Sequence, residues 1–266
     1  MVFSKPVIKC NNKDDPLIDL MQKLKPSSEF NNSWENSDPF DHLLTSIDGH
    51  LIDRIGYVSP LTFLTAVPKG LRIASLNVRS LMKNESKVID FLEHTNLHVL
   101  ALQEIWTSDG NIPNYKAAFT LRQNKRGGGT GFLIHQDEDF EDLGGKISPN
   151  LEYHQIRFKG RLVTSTYLPP AGSPKLALEE LTTVLHSCSN ERKTHPSNQI
   201  VLGDFNINLN LDSNTCSASS PTELFHDFNR SQGLYPLMIQ PTRIAYKGNK
   251  LSATIIDNIL TNTKYI

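Results

Sequence analysis

A chain of 266 residues with 38% hydrophobic content is long enough to bury the core of one large domain or two small ones. Its formal net charge of −1 excludes a strongly basic molecule that binds nucleic acid mainly by whole-surface phosphate neutralisation. Cys10, Cys188 and Cys216 are odd in number and form no CxxC pair, which argues against a disulfide framework or a zinc site and for a reducing compartment.

The opening MVFSKPVIKCNNKDD lacks the continuous apolar stretch of a secretory signal. No segment approaches the roughly 20 apolar residues of a membrane span, so a soluble intracellular protein is expected. Residues 1–69 are rich in Asn, Ser, Asp, Lys and Pro, and are expected to form a poorly structured extension. A short helix is predicted after Asp14-Asp15-Pro16, with Leu17, Leu20, Met21 and Leu24 along one side. From Leu71 the texture changes. LRIASLN reads as a strand, residues 85–94 as a helix through Val88, Ile89 and Leu92, and HVLALQE as a buried strand. GTGFLIH, EYHQIRF and RLVTSTYL follow as further strands. Residues 174–187 suit an amphipathic helix carrying Leu176, Leu178, Leu181, Val184 and Leu185. QIVLGDFN is another strand, residues 222–232 a helix, and SATIIDNIL a single late strand. Many strands with a few intervening helices predict a mixed α/β architecture with helices covering sheets, over residues 70–266.

Polar residues with chemical capacity stand at or just after these apolar runs: Asn77, Glu104, Tyr167, Asp204 and Asn206, with Asp257 inside the last one. Strand ends fix side-chain direction, so such residues can converge on one rim of a sheet. Each alone has an ordinary explanation. A lone Glu after a strand is usually a solvated turn residue, and Asp-x-Asn is commonly an Asx-turn.

Their order is more telling. Leu76-Asn77-Val78-Arg79-Ser80-Leu81, Leu102-Gln103-Glu104-Ile105-Trp106, Thr166-Tyr167-Leu168-Pro169-Pro170, the run Val201–Asn206 and the run Ser252–Leu260 resemble the successive motifs of the endonuclease/exonuclease/phosphatase superfamily. The run from Arg126 through Gly127, Gly128, Gly129 and Thr130 to Ile134 is similar to the glycine-rich strand entry of its retrotransposon branch, as is Gln240-Pro241-Thr242-Arg243. This glycine run is not a P-loop, since it lacks the Gly-Lys-Ser/Thr ending.

The resemblance implies a four-layered α/β/β/α sandwich of the DNase I type. It also implies a DNA-nicking endonuclease that uses Mg2+, with Mn2+ as a substitute, and works in the nucleus. In this reading Glu104 and Asn77 hold the metal. Arg79 stands where some relatives place a second acid. Asp204 orients or deprotonates the attacking water, Asn206 and Tyr167 contact the phosphate or the leaving oxygen, and Asp257 orients a histidine. Thr242, Ser252 and Arg126 are candidates for substrate contact. In the family that histidine lies in a Ser-Asp-His motif before the final strand, and no histidine follows Asp257 in this sequence. The expectation is therefore a sandwich lacking its last strand and a nuclease impaired by loss of that group. A cut-short copy of a retrotransposon, without polymerase motifs, would read this way. Two alternatives accompany it: a phosphomonoesterase of the same superfamily acting on phosphoinositide-type substrates, and a non-catalytic remnant that binds nucleic acid.

Overall fold

The computed structural model describes residues 70–107, 111–123, 127–190, 198–209, 220–238, 241–247 and 250–262. The extension 1–69, with the helix expected after Asp15, lies outside the described residues.

The first sheet holds β1 (Ile73–Asn77), β2 (Val99–Gln103), β3 (Tyr115–Thr120) and β4 (Thr130–His135), in the order β1-β2-β4-β3. The second holds β5 (Phe140–Ile147), β6 (Glu152–Phe158), β7 (Arg161–Tyr167), β8 (Gln199–Asp204), β9 (Tyr235–Pro236) and β12 (Asp257–Thr261), in the order β5-β6-β7-β8-β12-β9. A separate hairpin joins β10 (Arg243–Lys247) to β11 (Lys250–Thr254). The helices are α1 (Glu85–Thr95), α2 (Pro174–Asn190) and α3 (Pro221–Gln232).

Side-chain parity sorts these elements into four layers. Along β2, Leu100 and Leu102 pack with Val88 and Leu92 of α1, while Val99 and Ala101 turn to the other face. There they meet Phe132 and Ile134 of β4 and, from the second sheet, Ile156, Phe158, Val163, Ile200 and Leu202. Val201 and Leu260, on the outer face of the second sheet, pack with Leu178, Leu181 and Leu185 of α2 and Phe225 and Phe228 of α3. The result is α1, sheet, sheet, then α2 with α3. Strands buried on both faces must be apolar at every position, which explains the unbroken VLAL of β2.

Two helix ends carry their own signals. Ser220 accepts a hydrogen bond from the Glu223 N–H at 3.2 Å with Pro221 at the first helical position, and Gly233 closes α3 at φ 62. In α2 the apolar face differs from expectation: Ala177 is buried, whereas Leu176 points outward and is 47% exposed. The expected late strand is also two strands. Ile255 and Ile256 break the run, because β11 pairs with β10 while β12 returns to pair antiparallel with β8.

Gly203 marks the tightest approach within the second sheet. At φ 149, a Cβ there would overlap the Thr166 carbonyl of the neighbouring strand. Gly203→Ala is expected to destabilise the fold by about 3 kcal/mol or more, since conformational strain and overpacking add. A loss below about 1 kcal/mol in urea denaturation would contradict this close approach.

Candidate active site

β1 runs parallel to β2, and β7 runs parallel to β8, so two pairs of strands deliver their C-terminal ends together. Asn77 ends β1, Glu104 follows β2, Tyr167 ends β7 and Asp204 ends β8. β12 runs the other way, and its first residue, Asp257, stands opposite Asp204 in register. Five candidate residues therefore come to one rim for a topological reason.

The Asn77 side chain bridges the two sheets there. Asn77 Nδ2 donates to Glu104 Oε1 at 2.8 Å and to Asp204 Oδ2 at 2.9 Å, across 127 residues of sequence in the second case. The Asn77 side-chain oxygen, Oδ1, accepts from the Arg79 N–H at 3.2 Å. Asp204 Oδ1 accepts the Asn206 N–H at 2.9 Å, and the Asn206 side chain donates to the Leu168 carbonyl at 2.8 Å. Glu104 Oε2 also accepts from the Trp106 indole N–H at 3.4 Å.

The backbone around the site is unusual. Arg79, Glu104, Trp106 and Asn206 have φ of 45, 54, 70 and 48. Non-glycine residues rarely adopt such values, and they persist only where surrounding contacts enforce them. At Glu104 those contacts are visible: its carbonyl accepts the Ser80 N–H at 2.8 Å, and the following Ile105 carbonyl accepts the Leu81 N–H at 3.0 Å.

Electrostatics set the site's character. Burial, and then the negative charge of Asp257, push the Asp204 carboxyl up to about 7. Burial likewise raises Asp257 to about 6, against the Thr242 hydrogen bond and the charges of Arg79 and Arg243. Burial and the nearby charges of Glu104, Asp204 and Glu152 drive the Tyr167 hydroxyl far above its ordinary range, so it remains a proton donor at neutral pH.

The remaining candidates divide. Thr242 Oγ1 accepts the backbone N–H groups of Ile256 and Asp257, each at 3.1 Å, and so holds the start of β12. Ser252 lies on β11 in register with Ala245. Arg126 lies outside the described residues. Three contributors were not singled out from sequence. Trp106 stood within a quoted motif, but nothing marked its indole as a partner of Glu104. Glu152 and Arg122 looked like an ordinary strand start and part of a basic cluster.

A family model described as the endonuclease/exonuclease/phosphatase family matches residues 74–234, more than half of the chain. The chain belongs to that family. Asn77, Glu104, Tyr167, Asp204 and Asn206 fall within the matched stretch, and Thr242, Ser252 and Asp257 lie beyond it. No curated protein sequence matches the chain. Among solved structures, a 3′ phosphatase NExo from Neisseria, bound to a product DNA hairpin, is 18% identical with a TM-score of 0.55, over 72% of this chain and 86% of that one. The endonuclease domain of TRAS1, a telomere-specific non-LTR retrotransposon, is 16% identical with a TM-score of 0.53, over 72% and 84%. An AP endonuclease from Archaeoglobus fulgidus is 17% identical with a TM-score of 0.52, over 73% and 87%. At these identities the likeness is one of fold. The family's two-sheet sandwich, with helices on both outer faces, is the architecture of this chain.

The donor chemistry suits a hard cation. Among the described residues no group of three or more His, Cys, Asp or Glu side chains is arranged as a metal cage. The site instead offers carboxylate oxygens from Glu104 and Asp204, with the negative charge of Asp257 beside them, whereas Asn77 presents its amide nitrogen to both and its oxygen to the Arg79 N–H. Mg2+ commonly binds through only one or two carboxylates while retaining water, and this set fits that pattern.

Proposed function

We propose that this chain hydrolyses phosphodiester bonds in DNA with Mg2+, or Mn2+ in its place, as a nicking endonuclease of retrotransposon origin that acts in the nucleus. The observation carrying the reading is the Asn77 bridge, which sets Glu104 and Asp204 around one amide at the rim shared by both sheets. Glu104 would hold the cation, and Asn77 would join it only by turning its amide over to present Oδ1, which here accepts the Arg79 N–H. When bound, the cation supplies Lewis-acid polarisation of the phosphate and offsets charge that builds there during attack.

The other residues divide the proton and phosphate work. A carboxyl group raised toward neutrality, as Asp204 is, suits a base that orients water and takes its proton. Asn206 has two amide hydrogens; one is given to Leu168, leaving the other for a phosphate oxygen. Tyr167, kept protonated, donates to the phosphate or to the leaving oxygen. Asp257 would orient a histidine. Of the six described histidines, His94, His98, His135 and His154 lie beside Asp90, Glu138, Asp137 and Asp142 instead.

The test is relaxation of supercoiled plasmid with Mg2+, with Mn2+ and with EDTA. Nicking that requires the cation supports the reading. Equal nicking in EDTA, or none with either cation, would sink it.

One observation favours the phosphomonoesterase alternative. Arg122 is held by the buried Glu152, and Arg157 and Lys159 sit beside Glu141 and Glu138 at the surface. The charges of Arg79 and Arg243 both act on Asp257 at the rim, which suits a terminal phosphate. Release of inorganic phosphate from phosphoinositides without plasmid nicking would select that alternative. Metal-dependent DNA binding with neither activity would leave a nucleic-acid-binding remnant.

A further inference from the structure

Glu152 opens β6 and is fully buried, a costly place for a charge. Its Oε1 accepts from Arg122 Nε at 2.5 Å and pairs with a second guanidinium nitrogen. Its Oε2 accepts the Gly129 N–H at 2.5 Å. Burial raises the Glu152 carboxyl, and the Gly129 N–H and the Arg122 guanidinium act against that by favouring its ionised form, for which both bonds are of the stronger, charge-assisted kind. Gly128, at φ 69, lies against this pair; a Cβ there would strike the Arg122 guanidinium and come within 2.7 Å of Glu152 Oε1.

The turn held in this way has its carbonyls committed elsewhere. Gly128 accepts the Trp106 N–H at 3.0 Å and Gly129 the Ile105 N–H at 3.3 Å. Those two amides directly follow Glu104, whose own φ of 54 and whose neighbour's φ of 70 need external support. The Trp106 indole closes the path by donating to Glu104 Oε2. An unbroken series of hydrogen bonds thus runs from Glu152 and Arg122, through the glycine turn, to Glu104.

We propose that Glu152, acting through Arg122 and the Gly128–Gly129 turn, is a positioning residue that locks the strained backbone of Glu104 at the site. The glycine-rich run then has a purpose beyond a sharp turn. It is the clamp between a buried ion pair and the carboxylate assigned to the metal. The metal readout below rests on the function proposed above, and the backbone readout does not.

The experiment uses the full chain with Trp34→Phe, so that Trp106 is the only tryptophan. Glu152→Gln is compared with the parent and with Leu181→Ala, a core truncation in α2 that destabilises the fold without touching the clamp. Hydrogen exchange at the Ile105 and Trp106 amides is expected to rise by about tenfold or more in Glu152→Gln, beyond any rise in Leu181→Ala. The Mg2+ midpoint read by Trp106 fluorescence is expected to rise by about 10- to 100-fold, the usual effect of losing a support behind a metal ligand. Exchange at 104–107 unchanged, or raised only as much as in Leu181→Ala, would overturn the proposal. Faster exchange with no Mg2+ response even in the parent would uphold the clamp and reject Glu104 as a metal ligand. If Glu152→Gln does not fold, Arg122→Lys, which keeps the charge but loses the fork, is judged by the same two readouts.

Discussion

Glu104→Gln is expected to slow plasmid nicking by about 10³-fold at limiting Mg2+, a loss of about 4 kcal/mol in transition-state stabilisation. The substitution keeps the side chain's size and leaves the backbone bonds from Ser80 to Glu104 and from Leu81 to Ile105 in place. Its effect should therefore appear in chemistry and metal affinity and not in folding. Raising Mg2+ should restore part of the rate, because a weakened ligand is compensated by mass action whereas a lost base is not. Unchanged nicking, or a deficit that no amount of Mg2+ reduces, would remove Glu104 from the role of metal ligand. A melting temperature several degrees lower would instead point to a structural defect, since Glu104 also accepts bonds from Asn77 and Trp106.

The strands that proved legible are those whose side chains meet protein on both faces. EYHQIRF and RLVTSTY became β6 and β7 over the expected residues, and QIVLGD became β8. β3 and β5 were not foreseen, and the reason is their position. Each lies at the edge of its sheet. β5 reads FEDLGGKI, largely exposed, with a register shift between Asp142 and Gly144, so neither alternation nor hydrophobic density marks it. The break inside SATIIDNIL was hidden for the opposite reason. Its apolar run is continuous, and only the long-range pairing of β12 with β8 tells where one strand stops and the next begins.

The candidate site was legible because strand ends are landmarks in sequence. Asn77, Glu104, Tyr167 and Asp204 each close or follow an apolar run, and parallel pairing places them on one rim. What holds them there was not legible. Glu152 and Arg122 are 30 residues apart, and their pairing depends on how β6 packs beneath the glycine turn. The basic residues show the same limit. Arg157, Lys159 and Arg161 stand close together in sequence, yet Arg157 and Lys159 lie beside acids contributed by β5 and the turn before it.

Asp204→Asn is expected to reduce nicking by about 10²- to 10⁴-fold, the range for loss of a general base, with no rescue by added Mg2+. The same substitution should change how metal-free stability depends on pH. Asp204 and Asp257 are both raised in the folded chain, to about 7 and about 6, from an ordinary value of 3.8. Between about pH 4 and pH 7 the folded state then holds protons that the unfolded state has released. These carboxyls contribute stability that is complete below pH 4 and disappears as pH rises through 7. The part-buried His98 and the buried His154 act in the opposite direction: their affinity for protons is lowered chiefly by burial, so stability is lost as pH falls below their unfolded range. The wild-type profile is a sum of both effects, and its difference from Asp204→Asn isolates Asp204 and its interaction with Asp257. Urea denaturation in EDTA should show the variant gaining stability relative to wild type as pH rises from 5 to 8. A difference that stays flat over that range would mean that Asp204 is not held as a raised acid. The low nicking rate of the variant would then have to come from lost geometry at Asn77 and Asn206, and not from a missing proton acceptor.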